Sequence, residues 1–528
     1  MLTYNSFASP MLTDYYQLTM AYSYWRNKIH DKPAVFDLFF RENPFLGEFA
    51  IFAGLEEVLS FLERYRFEDE HIDYLCSKMN IRDEDFFKWL AGVDASKVRL
   101  YAIDEGTISF PNIPLIRVEG PLAVCQLLES PLLNLVNFPS LVATNASRFR
   151  IAAGREKRLI EFGLRRAQGI DGAVSASRYS YIGGFESTSN VLAGMLFGIP
   201  VAGTHAHSYV QAFKGPGDIS NPMICGPDGR QSNLLEISME IRKELNFENT
   251  NLGELSAFVA YALSYPDSFL ALVDTYDTLR SGIPNFLCVA LALIKLGFKP
   301  IGIRIDSGDL AHLSKTARKM FVDTSLFYEI DLSFLKIVAS NNINEEVLYS
   351  LNSQGHQIDI FGIGTHLVTC QAQPALGGVY KLVEADGQPR IKISQDLGKV
   401  TIPGRKDVYR IYGREGYPVL DLMVLTGDAP PEKGEKVMCR HPFNEIKRAV
   451  VVPERVEPLT RLYWDGRRVK EKRSCHEIRE FVLKQLSGMR SDHLRALNPT
   501  PYKISVTRNL YGFIHDLWAA EAPVTELG

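Results

Sequence analysis

The chain is expected to be an α/β protein organised on a parallel α/β barrel, preceded by a smaller module of mixed helices and strands. Three observations lead there. From about residue 157, short apolar runs alternate with helical patterns six or more times, the signature of parallel strands covered by helices. The polar residues that end these runs are spread over five different strand ends. An open sheet gathers its site at one switch point, whereas a barrel draws it from many strand C-termini. At 528 residues the chain also exceeds one ordinary core, so two or three domains are expected.

The elements follow in order. Residues 13–25 read as a helix capped by Thr13 or Asp14. Residues 35–40 alternate like a half-buried strand, and 54–65 and 83–90 read as amphipathic helices. Short strands are expected at 98–102, 107–110 and 115–118, separated by Glu-Gly and Pro-Asn turns. Residues 121–153 form a mostly helical bridge. Barrel strands are then expected at 159–163, 200–204, 271–276, 300–309, 335–342 and 358–365, with helices such as 286–296 and 310–321 between them. Beyond Gln371 the rhythm stops. Residues 379–384, 389–394 and 408–412 look like antiparallel strands, expected to pack back on the first module because their edges need a partner. Residues 471–495 read as a basic helical tail with a solvated surface. The expected domains are 1–150, 151–370 and 371–528.

Composition excludes several classes of function. Lys plus Arg number 58 against 62 Asp plus Glu, a net charge of −4. That is no footprint for nucleic acid or for an anionic membrane, so an anionic ligand must be met by a local cluster. The seven cysteines form no C-x-x-C pair, which fits a reducing compartment and argues against a zinc ribbon. No signal-like N-terminus and no stretch of about 18 apolar residues is read. The expectation is a soluble cytoplasmic protein.

The chemistry concentrates in a few motifs. Val201-Ala-Gly-Thr-His-Ala-His-Ser208 ends a buried strand in two hydroxyls and two imidazoles. An imidazole can act as base, acid, metal ligand or phosphoryl acceptor; alternatively, the histidines merely cap a strand. In Arg304-Ile-Asp306-Ser-Gly-Asp309 the period of two puts Arg304 and Asp306 on one face, and Asp309 can cap the next helix. The guanidinium suits a carboxylate or phosphate, and the carboxylate suits sugar hydroxyls or a divalent metal. An internal ion pair is the plainer alternative. Phe361-Gly362-Ile-Gly364-Thr365 can bring backbone N–H groups and a hydroxyl against a phosphate, or simply turn. Ser340-Asn-Asn342 supplies neutral donors or a helix cap. Arg148, Arg165, Arg166 and Arg178 add positive charge near the first barrel units, and Tyr15-Tyr16 offers a flat aromatic face or ordinary core rings. One histidine, one arginine clamp, one sugar-suited carboxylate and one phosphate cradle suit a phosphorylated sugar and a small carboxylated partner.

These stretches resemble the nicotinate phosphoribosyltransferase family. The resemblance rests on Leu12-Thr-Asp-Tyr-Tyr-Gln-Leu-Thr-Met, Ser140-Leu-Val-Ala-Thr-Asn-Ala-Ser-Arg, Glu161-Phe-Gly-Leu-Arg-Arg-Ala-Gln-Gly and Ala176-Ser-Arg-Tyr-Ser-Tyr-Ile-Gly-Gly-Phe. It continues through Gly203-Thr-His-Ala-His-Ser, Arg304-Ile-Asp-Ser-Gly-Asp, Ser340-Asn-Asn and Gly362-Ile-Gly-Thr, all in the family's order from about residue 10 to 380. It implies an irregular parallel α/β barrel plus an N-terminal α/β sandwich domain completed by C-terminal strands. It also implies a head-to-tail homodimer with shared active sites. The implied reaction joins nicotinate to phosphoribosyl diphosphate with ATP hydrolysis, the first step of NAD synthesis from nicotinate, with Mg²⁺ or Mn²⁺ as cofactor and no nucleic-acid or membrane partner. Carried over by position, His207 is the phosphohistidine. Tyr16, Thr204 and Arg304 match nicotinate contacts, and Thr365 matches a phosphoribosyl diphosphate contact. Asp306, Gly362 and Gly364 are assigned to the same substrate from geometry, no metal ligand is assigned, and His205 is taken as structural. The rivals are nicotinamide phosphoribosyltransferase, quinolinate phosphoribosyltransferase and a non-catalytic metabolite-binding protein.

Overall fold

The computed structural model describes residues 8–394 and 399–522. The chain divides into two compact units, one made of residues 1–147, 178–184 and 370–528, the other of 148–177 and 185–369. The first unit opens with the helix α1 (Tyr15–Arg26), led by Asp14 in extended conformation. Its sheet begins with β1 (Pro33–Phe40), β2 (Arg99–Ala102) and β3 (Ile116–Pro121). β1 departs from the half-buried reading: every residue after Pro33 is buried. The cause is position, since β1 is flanked by antiparallel partners on both edges and covered on both faces.

The second unit holds the parallel strands β4 (Arg158–Glu161), β5 (Ser187–Thr188), β6 (Leu270–Leu272), β7 (Gly302–Ile305), β8 (Lys336–Ala339) and β9 (Ile360–Ile363). Their sheet order is β6-β7-β8-β9-β4-β5. The last strand, β9, thus pairs in parallel with the first, β4, a cyclic order that curls the sheet toward a cylinder. A single parallel bridge from Thr188 to Val201 adds a further stave. The strand expected at 200–204 is reduced to that bridge, and β5 was not anticipated. Leu159, Ala271, Ile303, Ile337 and Phe361 are fully buried, as expected of strands covered on both faces.

Helix α2 (Leu252–Ser264) and helix α3 (Ile283–Lys295) cover this sheet, and α3 has eleven buried residues. With the π-helical turn before it, α3 forms an apolar segment, Thr278–Lys295, long enough by composition to cross a membrane. This corrects the sequence expectation that no such stretch exists; the segment is mostly buried among protein neighbours, as a core helix is. Helix α4 (Leu310–Tyr328) starts where expected, with Asp309 Oδ1 accepting from the His312 N–H at 3.0 Å.

Beyond Cys370 the chain returns to the first unit. β10 (Gly378–Ala385), β11 (Gln388–Pro389) and, much later, β12 (Arg461–Asp465) complete its sheet in the order β11-β10-β1-β3-β2-β12. The strand expected over 389–394 shrinks to β11. A third sheet of six strands includes Lys406–Tyr412 and Pro418–Leu425, and its arginine Arg410 is clamped by Asp421. The basic segment expected to be solvated instead contains a helix, Cys475–Gly488, that buries Cys475, Ile478, Val482 and Leu486. Charged residues on its outer face hide that apolar stripe from a composition-based reading.

Candidate active site

The C-terminal ends of the barrel strands build one rim. β7 runs straight into Arg304 and Asp306, which project on the same side. Arg304 Nε donates to Ser340 Oγ at 2.7 Å, its Nη1 to Thr204 Oγ1 at 3.3 Å, and its Nη2 faces Asp306 Oδ1 at 3.4 Å. Ser340, at the end of β8, donates in turn to Asp306 Oδ1 at 2.6 Å. Arg304 also lies 5.3 Å from the centre of the Phe162 ring, a cation–π geometry that leaves its outer edge free for an anion. The internal ion pair considered from sequence is therefore real but loose, and it is shared with two hydroxyls.

His207 stands on the same rim, at the start of the helix His207–Gln211. Its Nδ1 is 3.1 Å from Thr275 Oγ1. Its Nε2 faces Asp274 Oδ1 at 3.8 Å and Asp306 Oδ2 at 3.9 Å. Asp274 is held by the Asp306 N–H at 3.0 Å and by Ser307 Oγ at 2.5 Å, both on its Oδ2. Its Oδ1 is buried without a hydrogen-bond partner. Asp306 thus stands between the imidazole and the guanidinium, so His207 and Arg304 share one neighbourhood.

A cavity of about 200 Å³ opens beside them, lined by Phe162, Arg165, Arg166, Arg304, Asp306, Ser340, Asn341, Asn342, Ile343, Gly362, Gly364, Thr365 and His366. Three guanidiniums against one carboxylate make it a place for an anion. Gly362 is required there, because a Cβ would sit 2.4 Å from the Phe162 ring. Of the residues singled out from sequence, Arg304, Asp306, Gly362, Gly364 and Thr365 line this cavity, whereas Thr204 and His207 reach it through Arg304 and Asp306. Tyr16 belongs to the other unit, half-exposed on α1; the core-tyrosine alternative fails for both Tyr15 and Tyr16, which are exposed.

Of the four arginines noted near the first barrel units, Arg165 and Arg166 reach the cavity. Arg148 is engaged by Glu345 at 2.8 Å, and Arg178 is buried against Glu57 in the first unit. Ser340-Asn-Asn342 does not cap the helix after it, since Asn344 does. Sequence reading passed over Glu161, which ends β4 fully buried and accepts from Ser177 Oγ at 2.8 Å and Thr188 Oγ1 at 2.5 Å. Its carboxylate also takes the Gly163 N–H, fixing the turn that aims Arg165 and Arg166. A glutamate ending an otherwise apolar run was the available signal. His205 does not join the cavity; its ring is buried and its pKa is pushed down to about 4 by burial.

A cylinder of parallel strands whose open rim collects guanidiniums, hydroxyls and glycine-spaced backbone defines a barrel enzyme for a phosphorylated substrate. Comparison with known proteins makes the class specific. Residues 11–137 match the model described as the nicotinate phosphoribosyltransferase (NAPRTase) N-terminal domain. Residues 297–428 match the nicotinate phosphoribosyltransferase (NAPRTase) family, and 405–514 its C-terminal domain. The chain is 52% identical to the nicotinate phosphoribosyltransferase of Dictyostelium discoideum, covering 99% of this chain and 90% of that one. It is 44% identical to the Homo sapiens nicotinate phosphoribosyltransferase over 98% of both. The crystal structure of human nicotinic acid phosphoribosyltransferase superposes with a TM-score of 0.85 at 42% identity, covering 96% of this chain and 99% of that one. The chain belongs to the nicotinate phosphoribosyltransferase family.

Proposed function

We propose that this chain joins nicotinate to phosphoribosyl diphosphate, giving nicotinate mononucleotide and diphosphate, with ATP hydrolysis coupled through a phosphorylated His207. The observation that carries the reading is the position of Asp306, 3.4 Å from Arg304 on one side and 3.9 Å from His207 on the other. In the transfer step the pyridine nitrogen attacks the anomeric carbon of the ribose. The bond from that carbon to diphosphate oxygen breaks, and its electron pair leaves with the diphosphate. The chain's task is to hold both partners in line. Arg304 clamps the nicotinate carboxylate, with Thr204 beside it. Gly362, Gly364 and Thr365, with Arg165 and Arg166, face the phosphates, and Asp306 faces the ribose hydroxyls. The Arg304 guanidinium favours the carboxylate of nicotinate over the neutral amide of nicotinamide.

A divalent ion, Mg²⁺ or Mn²⁺, supplies charge neutralisation on the departing diphosphate when bound. Among the described residues no group of three His, Cys, Asp or Glu is placed to hold a metal. The rim does offer Asp306 and the unpartnered Asp274 Oδ1, which fits Mg²⁺, an ion held mostly by substrate oxygens and water.

At His207, the two carboxylates facing Nε2 favour the tautomer with its proton there, leaving Nδ1 to take the γ-phosphoryl group as ADP leaves. Hydrolysis of the phosphoryl–nitrogen bond then returns phosphate and the free imidazole. The modification places roughly −1.5 to −2 charge beside Asp274 and Asp306. That repulsion shifts the rim between two states and couples ATP to product formation. Tyr16 supplies an aromatic face for the pyridine within a homodimer whose first module closes the partner's barrel mouth. None of the seven cysteines is joined in a disulfide, which accords with a cytoplasmic location. The test is product analysis with nicotinate, phosphoribosyl diphosphate and Mg²⁺, with and without ATP, and with nicotinamide in place of nicotinate. Nicotinate mononucleotide should form, and γ-labelled ATP should leave acid-labile phosphate on the wild type but not on His207→Ala. Absence of diphosphate release would remove the enzymatic reading; equal labelling of both proteins would remove the phosphohistidine.

A further inference from the structure

The ring of strands in the second unit has one break. Backbone pairing runs without interruption from β6 through β7, β8, β9, β4 and β5 to the bridge at Val201. Among the described residues no backbone hydrogen bond joins residues 201–206 to β6. The Val273 N–H points at β7, where the Arg304 carbonyl accepts it at 3.1 Å. Strand alternation therefore turns the Leu272 N–H the other way, toward the break. A buried amide left there without a partner is destabilising. The His205 side chain meets it: Nε2 accepts from Leu272 N–H at 3.2 Å.

The environment keeps that nitrogen an acceptor. The imidazole is buried, with ring centres 5.4 Å from Tyr209, 6.1 Å from Phe258 and 4.9 Å from Tyr261. Burial disfavours its cationic form, so the ring is neutral, with Nε2 bare toward Leu272 and the proton on Nδ1.

Its place in the chain gives the contact consequences. His205 follows Thr204 by one residue and precedes His207 by two; Leu272 precedes Asp274 by two and Thr275 by three. The bond pins together the two segments whose side chains meet at the rim, where His207 Nδ1 lies 3.1 Å from Thr275 Oγ1 and Nε2 3.8 Å from Asp274 Oδ1. We propose that His205 is a positioning residue whose imidazole stands in for missing strand pairing at the barrel's break and sets His207 against Asp274 and Thr275. The consequence for ATP coupling rests on the assignment of His207 as the phosphorylated residue.

Two substitutions separate this role from simple filling of space. His205→Leu keeps an apolar side chain of similar bulk and removes the acceptor, whereas His205→Gln keeps an oxygen that can accept from Leu272. His205→Leu should lower ATP-stimulated turnover about tenfold, beyond what its lowered Tm accounts for, and His205→Gln should recover it to within about threefold, since small misplacements of reacting groups are costly. The Leu272 amide should lose about tenfold in protection against hydrogen exchange in the Leu variant and keep it in the Gln variant. Equal protection and turnover in wild type and the Leu variant would overturn the proposal. So would equal losses in both variants, or a loss that only follows Tm. His207→Ala run alongside keeps the two readings apart. ATP stimulation surviving in that variant overturns the phosphohistidine assignment, whereas Leu272 protection judges the positioning role by itself.

Discussion

Two arginines, one on the barrel rim and one in the third sheet, are bound by an aspartate and do different work. Arg410 meets Asp421 with two parallel bonds of 2.8 Å, one from Nε and one from Nη2. Nη2 also donates to the Ile108 carbonyl at 2.6 Å, Tyr502 donates to Asp421 at 3.0 Å, and both charged side chains are buried. Arg304 makes one 3.4 Å approach to Asp306 and spends its other nitrogens on hydroxyls at 2.7 and 3.3 Å, beside an open cavity. The first pair is closed on itself and can receive nothing. The second is held in place by weak neighbours that a carboxylate or phosphate can displace or join. An arginine–aspartate spacing in sequence does not distinguish these cases; completeness of the hydrogen bonding does.

Breaking the closed pair should give the largest effect. Arg410→Met leaves Asp421 buried and uncompensated, and is expected to cost about 3–5 kcal/mol of stability, read by urea unfolding. The double variant Arg410→Met with Asp421→Leu should recover most of it. If the single variant unfolded like wild type, the pair would not be closed in the sense argued.

Glu254 tests an intermediate case, a buried carboxylate with only some of its partners. Ser281 Oγ donates to Oε2 at 2.5 Å and Asn285 Nδ2 at 3.0 Å, but Oε1 has none. Burial pushes its pKa up to about 7. The folded state therefore binds more protons than the unfolded state between about pH 4.5 and 7, and stability falls as pH rises through that window, by about 3 kcal/mol in all. Glu254→Gln should flatten the decline in chemical denaturation measured from pH 4.5 to 8; an unchanged slope would assign it to another group.

The open pair should respond in function rather than stability. Arg304→Lys retains charge but loses the planar fork, and is expected to lower kcat/KM for nicotinate about thirtyfold, or about 2 kcal/mol, with unfolding unchanged. A large loss of stability would place Arg304 with Arg410. The smallest effect is expected at Asp309, whose role is the cap on α4: Asp309→Ala should cost about 1 kcal/mol and leave turnover per folded molecule intact.

The barrel was legible because parallel strands covered on both faces are written as continuous apolar runs, as in the residues before Arg304 and Gly362. β5 was not, because Ser187-Thr188 is polar and only two residues long. Residues 178–184 group with the first unit although most of them continue the helix Ile170–Ile182, which no change in the sequence pattern marks. At the rim, spacing alone placed Arg304 beside Asp306. Which arginine turns into the cavity depends on the bend held by Glu161, a tertiary fact that separates Arg165 and Arg166 from Arg148 and Arg178. The burial of Cys475–Gly488 was missed because charge count speaks for the outer face, while Ile478, Val482 and Leu486 speak for the inner one.

The cyclic strand order has a mechanical consequence. A hoop of peptide ladders resists widening at every stave, because each spread strand gives up several bonds together. Here one junction is fastened by side chains, the His205 imidazole foremost, in place of a backbone ladder, so expansion of the rim should concentrate between Val201 and Leu272 while the β4–β9 contact stays shut. The barrel then behaves as a clasped ring, with His207 mounted two residues from the clasp.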